Sequence, residues 1–175
     1  MPSRYYFLSS LPMLRFQDHA PLTWEKFLDE AHGNVSEADF RMLCALADGS
    51  DCGNGFIKAW NIMNRNLDDA VNTRRRSSLG LDDVTGTVFR KLDIEKVCEA
   101  ACSAKNPLEA EMVLMKFRYD WLEREKGLEP FSEKALISYA LQLRILLRKD
   151  LFTVESGNSE YNRLFDIIQK QINTD

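Results

Sequence analysis

Two stretches of this chain repeat apolar residues at alternating spacings of four and three. The first row is Phe56, Trp60, Met63, Leu67 and Ala70, and the second is Leu108, Met112, Met115, Tyr119 and Leu122. Because an α-helix turns once every 3.6 residues, this spacing places each row on one side of a helix that packs lengthwise against another. The pattern therefore limits the fold to helices lying side by side.

Residues that cap helix N-termini predict where these and further helices begin. Thr23, Ser36 and Ser132 are residue types that cap helix N-termini, and Asn106-Pro107-Leu108-Glu109 combines a cap, Pro at the first position and Glu at the third. After Ser132, apolar residues form two rows, which predicts burial on a wide face. Tyr161 to Ile172 show the pattern of a last helix. The expected fold is all-α, a multi-helix bundle of antiparallel helices.

Two stretches on either side of the first of these helices do not show a helical pattern. Asp48 to Gly55 has the glycine and Asp/Asn content of a loop, and residues 80–92 are expected to be irregular. Asp93 could then cap a short helix. We predict a single helical domain over residues 1–175, which could divide into sub-lobes at 1–80 and 93–175.

Composition excludes several classes of function. The 175 residues carry a net charge of −4, which argues against general nucleic-acid binding. The N-terminal run Tyr5-Tyr6-Phe7-Leu8 is followed by Leu11-Pro12 and is far shorter than the roughly 20 apolar residues of a membrane span. We therefore expect a soluble protein without direct membrane insertion, whose N-terminal segment docks on the core or on a partner.

The chain lacks the common catalytic motifs. It has two histidines and four cysteines, Cys44, Cys52, Cys98 and Cys102, with no CxxC pair. We predict reduced, structural cysteines in the cytoplasm, no catalytic residue, no cofactor and no metal. One alternative is an enzyme that uses the acidic clusters, or Cys98 and Cys102 with a metal.

Arg74-Arg75-Arg76 is the densest charged feature. Such a cluster could offset the dipole at a helix C-terminus or hold a phosphate or carboxylate. Trp24, Trp60 and Trp121 lie on or beside apolar rows, so core packing is expected, although tryptophan is also common in interfaces.

Three parts of the chain resemble a bacterial family of unknown function that is usually encoded in V-type ATPase operons. The first is the N-terminal run with Leu11-Pro12. The second is Asn64-Arg65-Asn66-Leu67 with Arg74, where Asn64 replaces the usual leucine. The third comprises Glu111 to Leu122, with Trp121-Leu122 at its end, and Tyr139-Ala140-Leu141-Gln142-Leu143 with Gly157 and Phe165.

Members of this family are similar to the C (eukaryotic d) component of V/A-type ATPases, an all-helical socket that seats the rotating central stalk on the membrane ring. The resemblance implies a non-catalytic cytoplasmic subunit, bound to the membrane through the central-stalk and ring subunits, and shorter than that socket protein. The candidate partner contacts are Tyr5, Tyr6, Phe7, Arg65, Asn66, Arg74, Arg75 and Arg76. The alternative is a helical adaptor or regulator outside the ATPase.

Overall fold

The computed structural model describes residues 4–48, 53–81 and 92–152. Seven helices and no strand occur in these ranges: α1 Arg4–Ser10, α2 Trp24–Ala31, α3 Glu37–Asp48, α4 Gly55–Ser78, α5 Leu92–Cys102, α6 Pro107–Glu125 and α7 Glu133–Asp150. The prediction of an all-α bundle is confirmed. Cys52, most of the segment expected to be irregular, and the last predicted helix with Gly157 and Phe165 lie outside the described residues.

Four of the predicted caps, Thr23, Ser36, Asn106 and Ser132, begin the helices they were assigned to. The side chains of Thr23, Asn106 and Ser132 accept hydrogen bonds from backbone N–H groups two or three positions into α2, α6 and α7. Ser36 does the same for Asp39 in α3, over 3.1 Å. Each cap satisfies an N–H that has no partner inside its own helix, which fixes where the helix starts.

Three local predictions were wrong. α5 begins at Leu92, so Asp93 lies in its first turn and is not its cap. Leu108 is 47% exposed because it lies in the first turn of α6, before that helix meets its neighbours. Gly55 was assigned to the end of a loop, yet it is the first residue of α4, which Asn54 caps by accepting from the backbone N–H groups of Phe56 and Ile57.

α7 is the central helix of the bundle. It contacts α1, α2, α3 and α6. Between Ala135 and Leu146 every side chain is buried except Tyr139 and Arg144, as the two apolar rows predicted. A helix buried around most of its circumference must be enclosed by others, and this one fixes their positions.

α4 and α6 run antiparallel. Trp60, in the first half of α4, contacts Trp121 near the end of α6, with ring centroids 5.6 Å apart. The second half of α4 instead shares a buried cluster with Ala110 and Leu114 at the start of α6. α5 packs between these helices and contacts both.

The core consists of two buried clusters. The larger draws on α1, α2, α3, the first half of α4, the second half of α6 and α7. The smaller is formed by Leu67, Ala70, Val71, Ile94, Cys98, Ala101, Ala110 and Leu114. Phe117 of α6 packs against both clusters. Each cluster therefore contains residues from both of the suggested sub-lobes, 1–80 and 93–175.

Candidate functional site

α1 is fixed to the bundle by one buried ring and one ion pair. Phe7 is 3% exposed and its ring centroid lies 5.8 Å from that of Phe27. The guanidinium of Arg4 donates to both carboxylate oxygens of Asp39, over 2.7 and 3.0 Å from Nη2. Asp39 is itself 5% exposed and accepts a further hydrogen bond from Ser36. The short helix is therefore held in one orientation on α3 and the core.

The outer side of α1 presents an aromatic surface made of Tyr5, Tyr6 and Phe131. Tyr5 and Tyr6 are 51% and 74% exposed. The ring of Tyr5 lies 4.3 Å from that of Phe131, which comes from the loop between α6 and α7, and 5.3 Å from that of Tyr6. Sequence analysis missed Phe131. Its only sequence cue was an aromatic residue after Gly127 and Pro130 in a connecting loop.

The segment that follows α1 is tied to the end of α7. The Tyr139 hydroxyl donates to the Pro12 carbonyl over 2.9 Å. Lys149 donates to the carbonyls of Phe16 and Asp18, and the carboxylate of Asp150 accepts from the backbone N–H of Ala20. These bonds secure the C-terminal side of α1, so the aromatic surface is supported from both directions.

The charged residues of α4 point in different directions. Successive residues are turned by about 100° around a helix. Arg74 lies toward α5, where its Nη2 is 3.6 Å from Glu99. Arg75 lines a groove toward α6 and α7, whereas Arg76 and Arg65 are exposed and do not line it. The arginine run therefore does not converge on one anion. Arg75 and Arg76 lie in the last turn of α4, where cations offset the helix dipole.

Asn66 lies on yet another face of α4. It lines a cavity of about 430 Å³ between α4, α5 and α6, together with Ile62, Trp121 and Arg124. Of the predicted contact residues, the structure thus brings together Tyr5 and Tyr6 on one surface, buries Phe7 beneath them, and distributes the five α4 residues around that helix.

A groove of about 610 Å³ runs between α4, α6 and α7, and we call it the arginine groove. Its lining residues are Trp60, Asn64, Asp68, Val71, Asn72, Arg75, Glu111, Leu114, Met115, Arg118, Ile145 and Arg148. Each of the three helices contributes one arginine. Sequence analysis did not single out Arg118 or Arg148, because neither belongs to a run of arginines.

Two arginines of this groove are already paired. Arg118 donates through Nε to the Asn64 side-chain oxygen and through Nη2 to Asp68, both over 2.8 Å. Arg148 lies 3.1 Å from Glu111. Arg75 has no ion-pair partner among the residues that the structure describes. Asn64, which replaces the leucine of the resembled motif, here accepts from Arg118 and so links α4 to α6.

The surroundings of Tyr119 and Glu123 in the bundle shift the pKa values of both groups. Burial raises the pKa of Tyr119 to about 12, and the charges of Glu123, Asp120 and Asp18 add to this effect. For Glu123, burial acts upward, but hydrogen bonds from Lys126 and Gln142 outweigh it and lower the pKa of the carboxyl.

The cysteines and the other side chains that could bind a metal do not form a cluster in the described parts of the chain. Cys98 is buried and Cys102 exposed although they lie one turn apart. Within the described ranges, no three His, Cys, Asp or Glu side chains are grouped so that they could hold a metal ion.

Trp121 is buried, and Trp24 and Trp60 pack against the larger cluster. No helix in the same ranges is both long and apolar enough to cross a membrane.

Comparisons with protein-family models, curated proteins and solved structures gave no significant match. Any function for this chain must therefore be argued from its motifs and from the geometry of its surfaces.

Proposed function

We propose that this chain is a non-catalytic, cytoplasmic subunit of a bacterial V-type ATPase, at or near the central stalk, and associated with the membrane only through other subunits. The family assignment rests on the resemblance of its N-terminal, α4 and C-terminal motifs. Its partners would be central-stalk and membrane-ring subunits, and the task would be to transmit force between them.

The observation that carries this proposal is the aromatic surface. Tyrosine and phenylalanine are enriched in protein interfaces, and tyrosine is among the residues that contribute most of the binding energy there. Here the ring of Tyr5 contacts those of both Tyr6 and Phe131, while Tyr5 and Tyr6 remain half or more exposed. Arg4 and Phe7 hold these rings in place before any partner arrives, which reduces the entropy lost on binding.

The stiffness of the bundle suits a coupling part. α6 and α7 contain 19 and 18 residues and so are each roughly 28 Å long at 1.5 Å per residue. Both bury a broad apolar face along most of that length. A force applied at one end of such packed helices is passed on with little internal deformation, because close-packed interiors have low compressibility.

The proposal is tested by affinity purification of the tagged chain from membranes of its native host, with the tag kept away from α1. We expect central-stalk and ring subunits to co-purify at near-equal stoichiometry. Tyr6→Ala should reduce their recovery several-fold. The matched control is Leu79→Ala, which removes a side chain of equal exposure, 74%, from the distant end of α4 and should leave recovery unchanged.

Two results would overturn the proposal. Recovery of no ATPase subunit from membranes whose ATPase is intact would exclude a role in the complex. Recovery of soluble partners instead, lost in Tyr6→Ala, would make the chain a helical adaptor outside the ATPase.

A further inference from the structure

We infer that residues 11–20 form a strap that detaches from the bundle while the bundle itself stays folded, and that the last turn of α7 holds this strap in place. Because the strap continues directly from α1, its attachment to the far end of α7 controls the order of α1 and of the aromatic surface. The strap acts in this way whether or not the chain is an ATPase subunit.

The strap joins α1 to α2 without forming a helix or a strand of its own. Near its start, the carbonyl of Pro12 accepts a hydrogen bond from the Tyr139 hydroxyl over 2.9 Å. Apart from the pair between His19 and Asp150, the hydrogen bonds that the structure shows between the strap and α7 join α7 side chains to strap backbone groups. Detachment therefore breaks no hydrogen bond within a helix, so it can occur as a local opening of the native state.

Two neighbouring residues in the last turn of α7 hold the second half of the strap. The ammonium of Lys149 donates to the carbonyls of Phe16 and Asp18, each over 2.6 Å. The same ammonium lies 5.3 Å from the centroid of the Phe16 ring. The carboxylate of Asp150 accepts from the backbone N–H of Ala20 over 2.7 Å. Since hydrogen bonds to charged groups are stronger than those between neutral groups, Lys149 and Asp150 are the main polar attachment.

The apolar contacts of the strap are shallow. Four of its residues pack against the larger cluster, and all four are only partly buried: Leu11, Leu14, Phe16 and Ala20. The ring of Phe16 lies 5.6 Å from that of Tyr119, centroid to centroid. None of the ten strap residues is buried. Because no side chain of the strap is locked into the core, loss of the polar attachment is enough to raise the detached fraction.

α1 depends on this strap for its order. With seven residues, it is too short to be a stable helix on its own. Arg4 and Phe7 hold its first half, whereas the strap holds the end that follows Ser10. Detachment of the strap therefore lets α1 fray from its C-terminal end. Tyr139 and Lys149 are ten residues apart on α7, so a change at the last turn of α7 acts toward α1 across about 15 Å.

Tryptic cleavage after Arg15 in the full-length chain measures strap detachment, because Arg15 is exposed but a protease cleaves a segment that has left the protein surface. Lys149→Met keeps the length of the side chain and removes its ammonium, so we expect cleavage at least about fivefold faster. Lys149→Arg keeps the charge and the donors and should stay within about twofold of the wild type. Lys96→Met makes the same change at an exposed lysine of α5 and, as the matched control, should leave the rate unchanged.

Two further measurements test whether the strap moves by itself and whether it acts on α1. Low concentrations of urea should change the wild-type cleavage rate little, because strap detachment exposes far less surface than unfolding does. The amides of residues 8–10 donate to carbonyls within α1. Their hydrogen–deuterium exchange should be at least about threefold faster in Lys149→Met than in the wild type.

Any of three results would overturn the inference. Equal cleavage rates in Lys149→Met and Lys96→Met would show that the last turn of α7 does not hold the strap. Wild-type cleavage that rises with urea as steeply as global unfolding would show that the strap leaves only when the bundle unfolds. Faster cleavage in Lys149→Met without faster exchange of residues 8–10 would show that α1 does not depend on the strap.

Discussion

The phenol of Tyr119 shows how a single buried group can make this fold depend on pH. Its pKa rises to about 12 in the folded chain because burial removes water from the phenolate, and nearby carboxylates add to the effect. An unfolded tyrosine titrates near 10. Since the folded-state pKa is the higher one, the stabilisation is complete below about pH 10 and is lost as the pH rises toward 12.

We therefore expect Tyr119→Phe to flatten the alkaline loss of stability. Between pH 8 and pH 11.5, urea unfolding followed by circular dichroism should show the variant losing about 1–2 kcal/mol less than the wild type. Part of the slope should remain, because burial also raises the pKa of Tyr139, with smaller effects from Glu30 and Tyr119. Tyr6→Phe, at an exposed tyrosine, should keep the wild-type slope. Identical slopes in all three proteins would contradict the assignment.

Individual residues also differ in how well a sequence pattern predicts their place in the fold. Apolar positions such as Leu67 and Met115 could be predicted because only the core accepts them. Arg74, Arg75 and Arg76 could not be assigned to faces, because a long charged side chain is stable against solvent, at a groove rim or beside an acid on another helix. Their neighbours in space, Glu99 among them, come from helices that the local sequence does not specify.

Among the elements, α1 depends most on its surroundings. With seven residues it is too short to be a stable helix on its own. Its position relies on Phe7 and on the pair between Arg4 and Asp39, in which Asp39 is nearly inaccessible and Arg4 keeps 30% of its side chain exposed.

Arg4→Ala should release α1. The variant leaves the buried Asp39 without its charged partner, so we expect the free energy of unfolding to fall by about 2 kcal/mol and the amides of residues 5–10 to lose protection from exchange. Arg41→Ala removes an ion pair of the same type with Glu37, in which both side chains are about three-quarters exposed, and should cost less than about 0.5 kcal/mol. Equal losses in the two variants would show that burial of Asp39 does not matter.

Helix boundaries were largely predictable at the element scale because capping is a local interaction. Thr23, Asn106 and Ser132 satisfy the first N–H groups of helices that follow them directly. Asn54 was missed because three nearby glycines dominated the interpretation of that stretch. The aromatic surface was half predicted: Tyr5 and Tyr6 were identified, but Phe131 reaches them from the distant loop before α7.

On the scale of the whole molecule, the two buried clusters are joined through shared helices. α4 and α6 each contribute side chains to both, and Phe117 contacts both. All three tryptophans belong to the larger cluster or pack against it, so tryptophan fluorescence follows that cluster, whereas circular dichroism follows every helix.

Leu67→Ala tests whether the clusters unfold together. Leu67 is fully buried in the smaller cluster, and its truncation should cost about 2–4 kcal/mol. Because the clusters share α4 and α6, we expect the fluorescence and circular dichroism midpoints in urea to shift together. Ile62→Ala, at a position 56% exposed, should cost less than about 1 kcal/mol. A shift in the circular dichroism midpoint alone would mean that the clusters unfold separately.

The sequence predicted a bundle but not its arrangement. An apolar row requires that one face of a helix be covered, yet it does not say by which other helix. That choice of neighbours determines the central place of α7, the antiparallel arrangement of α4 and α6, and the groove between these three helices.

The pairing of Tyr5 with Phe131 makes the aromatic surface a discontinuous epitope. An antibody raised against a synthetic N-terminal peptide would meet Tyr5 and Tyr6 without Phe131 and without the ion pair that orients α1. Such a reagent would report the sequence of the segment rather than its folded form, whereas a binder selected on the intact bundle would recognise the three rings together.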